Sequence, residues 1–208
     1  TLYYKIFYYS VLLYIFAPFW SYSKFFFDKK YLLPIKLSKN QKISMIKHVL
    51  FYCAGNTCRS PFAEAYANWL KRTKFKKELR EVEFDSAGIY HYYKTAQPGT
   101  INYLKSKGID ISDFATKKIN LHLLEKQDLI LGFEQKHHIN KLKRKFKNFK
   151  GLNNKVFLLL EYAGEKENLE IKDPFHLPQD EYNKILERIE KAVLTVMEKI
   201  IEINRNEE

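Results

Sequence analysis

The chain has 208 residues, is 46% hydrophobic and 16% aromatic, and carries a formal charge of +12. That length and apolar content suit one domain of ordinary size with an appendage, and they exclude a chain disordered throughout. Two cysteines, with four residues between them, exclude a disulfide framework spread along a secreted domain, while the positive charge asks for an anionic partner: nucleic acid, a membrane surface or a phosphorylated substrate.

Residues 1–48 hold eight lysines against the single acid Asp28, more than half of the net charge. Within them, residues 2–22 read LYYKIFYYSVLLYIFAPFWSY, with Lys5 as the only charge. The length matches the roughly 20 residues that span a bilayer. Tyr and Trp crowd the ends and lysines follow, which predicts a membrane-associated segment over 1–22 with the chain that follows on the cytoplasmic side. An interfacial anchor or the docking tail of an upstream module are the alternatives. Residues 23–45 read as a basic linker punctuated by Pro34, and residues 46–205 as the globular domain.

That domain opens on HVLFYC, a β-branched and aromatic strand. AGNT follows as a turn, and Ser60 with Pro61 predicts a helix start, Ser at the N-cap and Pro at the first helical position. The helix continues through FAEAYANWLKR. EVEFDSA is a strand, PGTINYLKSKG a helix ended by Gly108, DLILGF a strand, EQKHHINKLKRKF a helix and KVFLLL a strand. The last helix puts Tyr182, Ile185, Leu186, Ile189, Val193, Val196, Met197 and Ile200 on one face. Strands alternating with helices predict an α/β fold: an open four-stranded parallel sheet with helices on both faces. A second basic run, Lys136–Lys150, has seven Lys or Arg and no acid, and reads as a solvated helix face.

The chemistry concentrates in CAGNTCRS, residues 53–60. In an open parallel sheet ligands bind beyond the carboxyl ends of the strands, where Cys53 falls. The loop opens directly into a helix, so its free N–H groups favour an anion. Gly55 and Asn56 tolerate the positive φ that turns amides inward. Arg59 can clamp two phosphate oxygens at once. A helix N-terminus and a guanidinium both favour thiolate over thiol at Cys53, and the Ser60 hydroxyl can donate to the sulfur. A thiolate so placed attacks phosphorus in line and forms a phosphocysteine. An acid must then protonate the leaving group and later activate water. Asp173, in IKDPFHLP after the fourth strand, is the candidate. The pair His137 and His138 reads as surface rather than metal ligand, and no second Cys/His pair stands at ligand spacing. Nothing in the basic runs forms a nucleic-acid reading motif, so nucleic acid is not an expected partner.

The C-x5-R-S-P loop after the first strand, with a later Asp-Pro, resembles the low-molecular-weight protein tyrosine phosphatase family over about residues 46–205. VLFYCAGNTCRSPFAEA, DSAG at 85–88, the Gly-Ile-Asp turn at 108–110 and DPF at 173–175 keep the family's order. The resemblance implies Cys53 as nucleophile, Arg59 as phosphate clamp, Ser60 as thiol-orienting residue and Asp173 as general acid. It also implies a phosphate loop of Ala54, Gly55, Asn56, Thr57 and Cys58, with Asn56 and Ser86 in support, and no metal or other cofactor. Cys58 matches a second loop cysteine that traps an oxidised nucleophile as a reversible disulfide. The implied partner is a phosphotyrosine protein. Thr57 stands where many tyrosine-directed members carry Ile, and a related branch that hydrolyses phosphoarginine has Thr there and DPF rather than DPY, so a phosphoarginine protein is the alternative substrate. The arsenate-reductase branch needs downstream cysteines, which this chain lacks. The family usually has Arg near Lys118 and Asp near Glu134. Tyr90, Tyr92 and Tyr93 are candidates for the pocket wall. An inactive membrane-tethered phosphate-binding module is the reading from another class.

Overall fold

The computed structural model describes residues 45–207; the expectations for residues 1–22 and for the linker up to residue 44 fall outside that range. Among the described residues no helix is long and apolar enough to cross a membrane.

Among the described residues four strands form the sheet: β1 (His48–Cys53), β2 (Glu83–Gly88), β3 (Leu129–Gly132) and β4 (Val156–Leu158). Their order is β2-β1-β3-β4 and every pairing is parallel. This is the sheet the alternating pattern predicts. The helices are α1 (Arg59–Thr73), α2 (Pro98–Ser106), α3 (Leu121–Glu125), α4 (Lys141–Lys145), α5 (Leu159–Ala163) and α6 (Gln179–Arg205).

Residues Val49–Cys53 are all buried because β1 is central and covered on both faces. Its side chains alternate between two cores. Val49, Phe51 and Cys53 join the core under α1 and α6, while Leu50 and Tyr52 join the one beneath the segment after β3. A one-residue slip of β1 would exchange the two sets and turn Cys53 away from its loop. The long helix α6 buries Leu186, Ile189, Val193, Val196, Met197 and Ile200. Each such side chain contributes about 1.5–3 kcal/mol of burial, which fixes α6 under α1 and so seats the phosphate loop. The chain leaves β1 toward opposite sides of the sheet, β2 on one and β3 on the other. That reversal is where an open α/β sheet leaves a crevice, and Cys53 ends the strand there.

Three local readings change. The helix after the loop begins at Arg59 with Cys58 at the N-cap, so Ser60 is inside it. The first turn needs no N–H from Pro61. The stretch 155–160 is not one strand: it divides at Leu158 into β4 and α5, because a continuous apolar run has no periodicity to separate buried strand from buried helix. The predicted helix over 134–146 is a π turn, Gln135–Asn140, followed by α4. The short α3 lacks a periodic signature; Asn120 caps it by accepting the Leu123 N–H at 2.8 Å.

Candidate active site

The loop 54–58 is held from below by hydrogen bonds that assign their own direction. Asn56 has φ of 56°, one of the two positions the sequence nominated for that conformation. Its Oδ1 accepts the Lys117 N–H at 2.7 Å, which fixes the amide orientation. Its Nδ2 then donates to Ser60 Oγ at 3.0 Å and to Ser86 Oγ at 2.7 Å. The Ser86 hydroxyl in turn donates to Glu64 Oε2 at 2.5 Å. Ser60 Oγ, an acceptor from Asn56, lies 3.0 Å from Cys53 Sγ and 3.5 Å from Ala87 O, so the sulfur is the nearer of two acceptors for its proton. A charge-assisted bond of this kind stabilises a thiolate more than a thiol.

Burial raises the Glu64 carboxyl to about 6, against the Ser86 hydroxyl and the Lys117 ammonium, which pull it down. Above the loop the main-chain N–H groups from Ala54 to Ser60 donate to no backbone acceptor among the described residues. They are the donors that an anion at a helix N-terminus requires.

Gly88, paired with Cys53 across the sheet, is the loop's other support. A Cβ there would lie 2.7 Å from Asn56 N and from Gly55 C, so any side chain would push the loop out of place. Tyr90 N–H donates to Ala54 O at 2.9 Å, and Gln97 N–H to Thr57 O at 2.8 Å, tying the loop's outer edge to the chain beyond β2.

Arg59 is 1% exposed and its guanidinium is divided between two tasks. Nη1 donates to Glu134 Oε2 and to Ile171 O, both at 2.8 Å. Nη2 lies 2.8 Å from Asp173 Oδ2. Nε has no partner among the described residues. Nε and Nη2 lie on one edge of the guanidinium, the fork geometry that matches two oxygens of one phosphate, while Nη1 is tied to Glu134 and Ile171. Asp173 is exposed and accepts the Phe175 N–H at 3.2 Å, a turn that Pro174 stiffens.

Behind Glu134 stands His138, and here the surface reading of the histidine pair is corrected: His137 is exposed but His138 is fully buried. The π turn rotates it inward. Its Nδ1 accepts the N–H groups of Phe133 and Glu134 at 3.1 Å each, so the ring is the Nε2–H tautomer, with Nε2 3.5 Å from Glu134 Oε2. That separation is long for a hydrogen bond and the atom counts as unpartnered; the contact is electrostatic. Burial first, and Arg59 second, press the imidazole down to about 2, so it stays neutral.

Cys58 differs from Cys53. Burial lifts its thiol to about 11, against bonds from Tyr182 and Thr57. The Tyr182 hydroxyl is held by Thr100 Oγ1 at 2.7 Å, and Thr57 Oγ1 lies 3.6 Å from Cys58 Sγ. Of the tyrosines after Gly88, Tyr90 and Tyr92 stack at 5.1 Å and Tyr93 lies against Phe175 at 5.8 Å. Among the described residues no group of three His, Cys, Asp or Glu side chains is placed to hold a metal ion.

Of the residues the sequence nominated, Cys53, Asn56, Ser60 and Ser86 are joined by hydrogen bonds and Arg59 is paired with Asp173. Glu64, Gly88, Glu134 and His138, to which the sequence assigned no role, lie against them. DSAG and the acid after β3 were visible, but a supporting role needs the third dimension.

A loop of amides and a guanidinium fork around a buried cysteine, at the head of a parallel sheet, defines the class of cysteine-dependent α/β phosphatases. The chain belongs to the low molecular weight phosphotyrosine protein phosphatase family, whose model matches residues 48–206, and it is a hydrolase of that class. It is 31% identical over 152 residues to a probable low molecular weight protein-tyrosine-phosphatase, EpsP, of Ralstonia nicotianae, covering 72% of this chain and 92% of that one. A low molecular weight protein tyrosine phosphatase from T. tengcongensis superposes with a TM-score of 0.63 at 30% identity, over 74% of this chain and 99% of the other. The YwlE arginine phosphatase from Geobacillus stearothermophilus does so with a TM-score of 0.63 at 26% identity, over 74% and 92%.

Proposed function

We propose that the protein dephosphorylates phosphotyrosine in proteins through a phosphocysteine on Cys53. The observation that carries this reading is the Ser60 hydroxyl, held by Asn56 Nδ2 and placed 3.0 Å from the Cys53 sulfur, nearer than its other acceptor, Ala87 O at 3.5 Å. The thiolate attacks phosphorus in line. The bond from phosphorus to the leaving oxygen breaks, and that oxygen takes the proton of Asp173. Water then attacks the phosphocysteine, gives its proton back to the Asp173 carboxylate, and releases phosphate and the thiolate. Arg59 serves both steps: phosphate takes the Nε–Nη2 fork and frees Asp173 from Nη2, which leaves the carboxyl beside the oxygen it must protonate. Ala54, Gly55, Thr57 and Cys58 supply loop amides, and Ser86 fixes Asn56. No step requires a metal or other cofactor. Cys58 is the resolving thiol: after peroxide converts Cys53 to a sulfenic acid, Cys58 displaces water and forms the disulfide that thiols later reduce.

The test is turnover of p-nitrophenyl phosphate. It is expected to vanish in Cys53→Ser, to slow in Asp173→Ala by about 10²–10⁴-fold, and to be blocked by vanadate. Wild-type turnover in Cys53→Ser would sink the mechanism.

Phosphoarginine is the second reading, favoured by Thr57, which is buried within the loop, by Phe175 after Asp173, and by the likeness to an arginine phosphatase. Comparing phosphotyrosine and phosphoarginine peptides on wild type and Thr57→Ile decides between them. A tether of the catalytic domain to the cytoplasmic membrane face through residues 1–22 belongs to the same proposal, and membrane fractionation of the chain with and without that segment tests it.

A further inference from the structure

The segment after β3 has a charge pattern unlike the rest of the described chain. Between Lys136 and Lys150 stand seven Lys or Arg and no acid. The Lys and Arg residues that form ion pairs among the described residues are Arg59, Lys74, Arg80, Lys107, Lys117 and Arg188. None of the seven is among them. Ile139 and Leu142 are buried beneath the segment, and Phe146 and Phe149 pack partly on the same core, so Arg144, Lys145, Lys147 and Lys150 stand in solvent. Like charges at helical spacing repel, and nothing inside the fold offsets that repulsion.

This cationic stretch is continuous with the mouth of the site. It begins two residues after Glu134, whose carboxylate anchors Arg59. Further along, Lys141 Nζ donates to the Tyr90 hydroxyl and lies 4.5 Å from that ring's centroid. The N–H of Tyr90 is bonded to the phosphate loop at Ala54 O. The nearby carboxylates are engaged: Glu134 by Arg59, and Glu170 by the Gln135 N–H at 2.7 Å.

We propose that the ridge formed by Lys141, Arg144 and Lys145 docks an acidic stretch of the phosphoprotein substrate, on one side of the phosphorylated residue. This rests on the reading of the site as a protein phosphatase. Lys141 to Lys145 follow Glu134 through a π turn and then α4, and even at the α-helical rise of about 1.5 Å per residue the ridge reaches no more than roughly 10–16 Å along the chain axis from the Arg59 anchor. An extended substrate covers that span in about three to five residues, so the acids belong three to five positions from the phosphorylated side chain. The partner's chemistry follows from the ridge itself. Phe146 and Phe149 are half-buried on the core and Lys145 Nζ stands 5.4 Å from the Phe146 ring centroid, so what the ridge turns outward is mainly Arg144, Lys145, Lys147 and Lys150. A broad polyanionic surface laid on the ridge would also cover the mouth beside it, whereas an extended acidic strand leads into it.

The experiment uses phosphotyrosine peptides of equal length with acids at the third to fifth positions on one side, on the other side, or on neither. At low salt, kcat/KM is expected to favour one acidic series by about tenfold over the neutral one. The preference should fade as salt is raised past the point where the Debye length falls below about 10 Å. It should also be lost in Arg144→Glu/Lys145→Glu. The salt series on wild type needs no variant to fold. Equal rates on all three series, or a tenfold preference that survives charge reversal, overturns the docking surface. So does ridge-dependent binding to vesicles of anionic lipid or to single-stranded RNA while the peptides react alike. p-Nitrophenyl phosphate, too short to reach the ridge, reports the chemistry alone: no turnover there fails the phosphatase reading, and normal turnover with undiscriminated peptides fails only the docking.

Discussion

The two ends of the phosphate loop carry the same side chain in opposite settings. Cys53 and Cys58 are both 3% exposed. Cys53 ends a strand and lies 3.0 Å from a hydroxyl, Ser60 Oγ, that an amide of fixed orientation holds in place. Cys58 caps the helix from inside an apolar layer that pushes its thiol up to about 11. Burial alone thus does not distinguish the two cysteines; their hydrogen-bond partners do, Ser60 for one and Thr57 for the other.

The sharpest way to break this comparison is to exchange the roles by substitution. Cys53→Ser should lose at least about a thousandfold in kcat, measured on p-nitrophenyl phosphate. If Cys58→Ser loses as much, the assignment is inverted. Ser60→Ala tests the hydrogen bond itself. Removing a charge-assisted donor costs about 1.5–3 kcal/mol, which is about 10–100-fold in kcat/KM, and the bimolecular alkylation rate of Cys53 should fall with it. Unchanged alkylation would mean that Ser60 does not act on the sulfur.

Glu64 sharpens the comparison from beneath the loop, through stability. Its carboxyl rises from an ordinary 4.5 to about 6 on folding. Below the lower value the group is protonated folded and unfolded, with no effect. Between the two the unfolded chain ionises first, and above the upper value the full penalty, about 2 kcal/mol, is present. Glu64→Gln should therefore be more stable than wild type at pH 7.5 by up to about that amount and nearly equal near pH 4, as read by denaturant melts. An equal difference at both pH values would remove burial of the charge as the cause. His138→Phe should act through Glu134 and Arg59, raising the inhibition constant of inorganic phosphate by about three- to tenfold with a smaller change in kcat. In a Glu134→Gln background the same substitution should add little; full additivity would disconnect His138 from the clamp. Smallest of all, Cys58→Ser should stay within about threefold of wild-type turnover while losing recovery by thiol after peroxide treatment.

Much of this was legible in the sequence because it is local. A strand, a six-residue spacing from Cys53 to Arg59 and a proline inside the first helical turn are adjacent in the chain, and backbone physics relates them directly. The order of elements then implied the parallel sheet, and the sheet implied that Asp173 returns to the same edge. What was not legible depends on packing. His137 and His138 are indistinguishable in sequence, and only the π turn decides which points inward. Gly88 gives no local signal of turning, since its φ is ordinary; its missing Cβ matters only because Asn56 and Gly55 of another segment approach within 2.7 Å. Glu64 reads as an ordinary helix residue until Ser86, on a neighbouring strand, donates to it. Leu159 and Leu160 read as strand because a buried run hides its period.

The most direct test is site-resolved alkylation. Wild-type protein is treated with iodoacetate at pH 7, with and without inorganic phosphate, and each cysteine is followed by peptide mass spectrometry. The account requires rapid carboxymethylation at Cys53, suppressed by phosphate, with Cys58 unmodified on the same timescale. Modification of Cys58 as fast as Cys53, or no protection by phosphate, would contradict it.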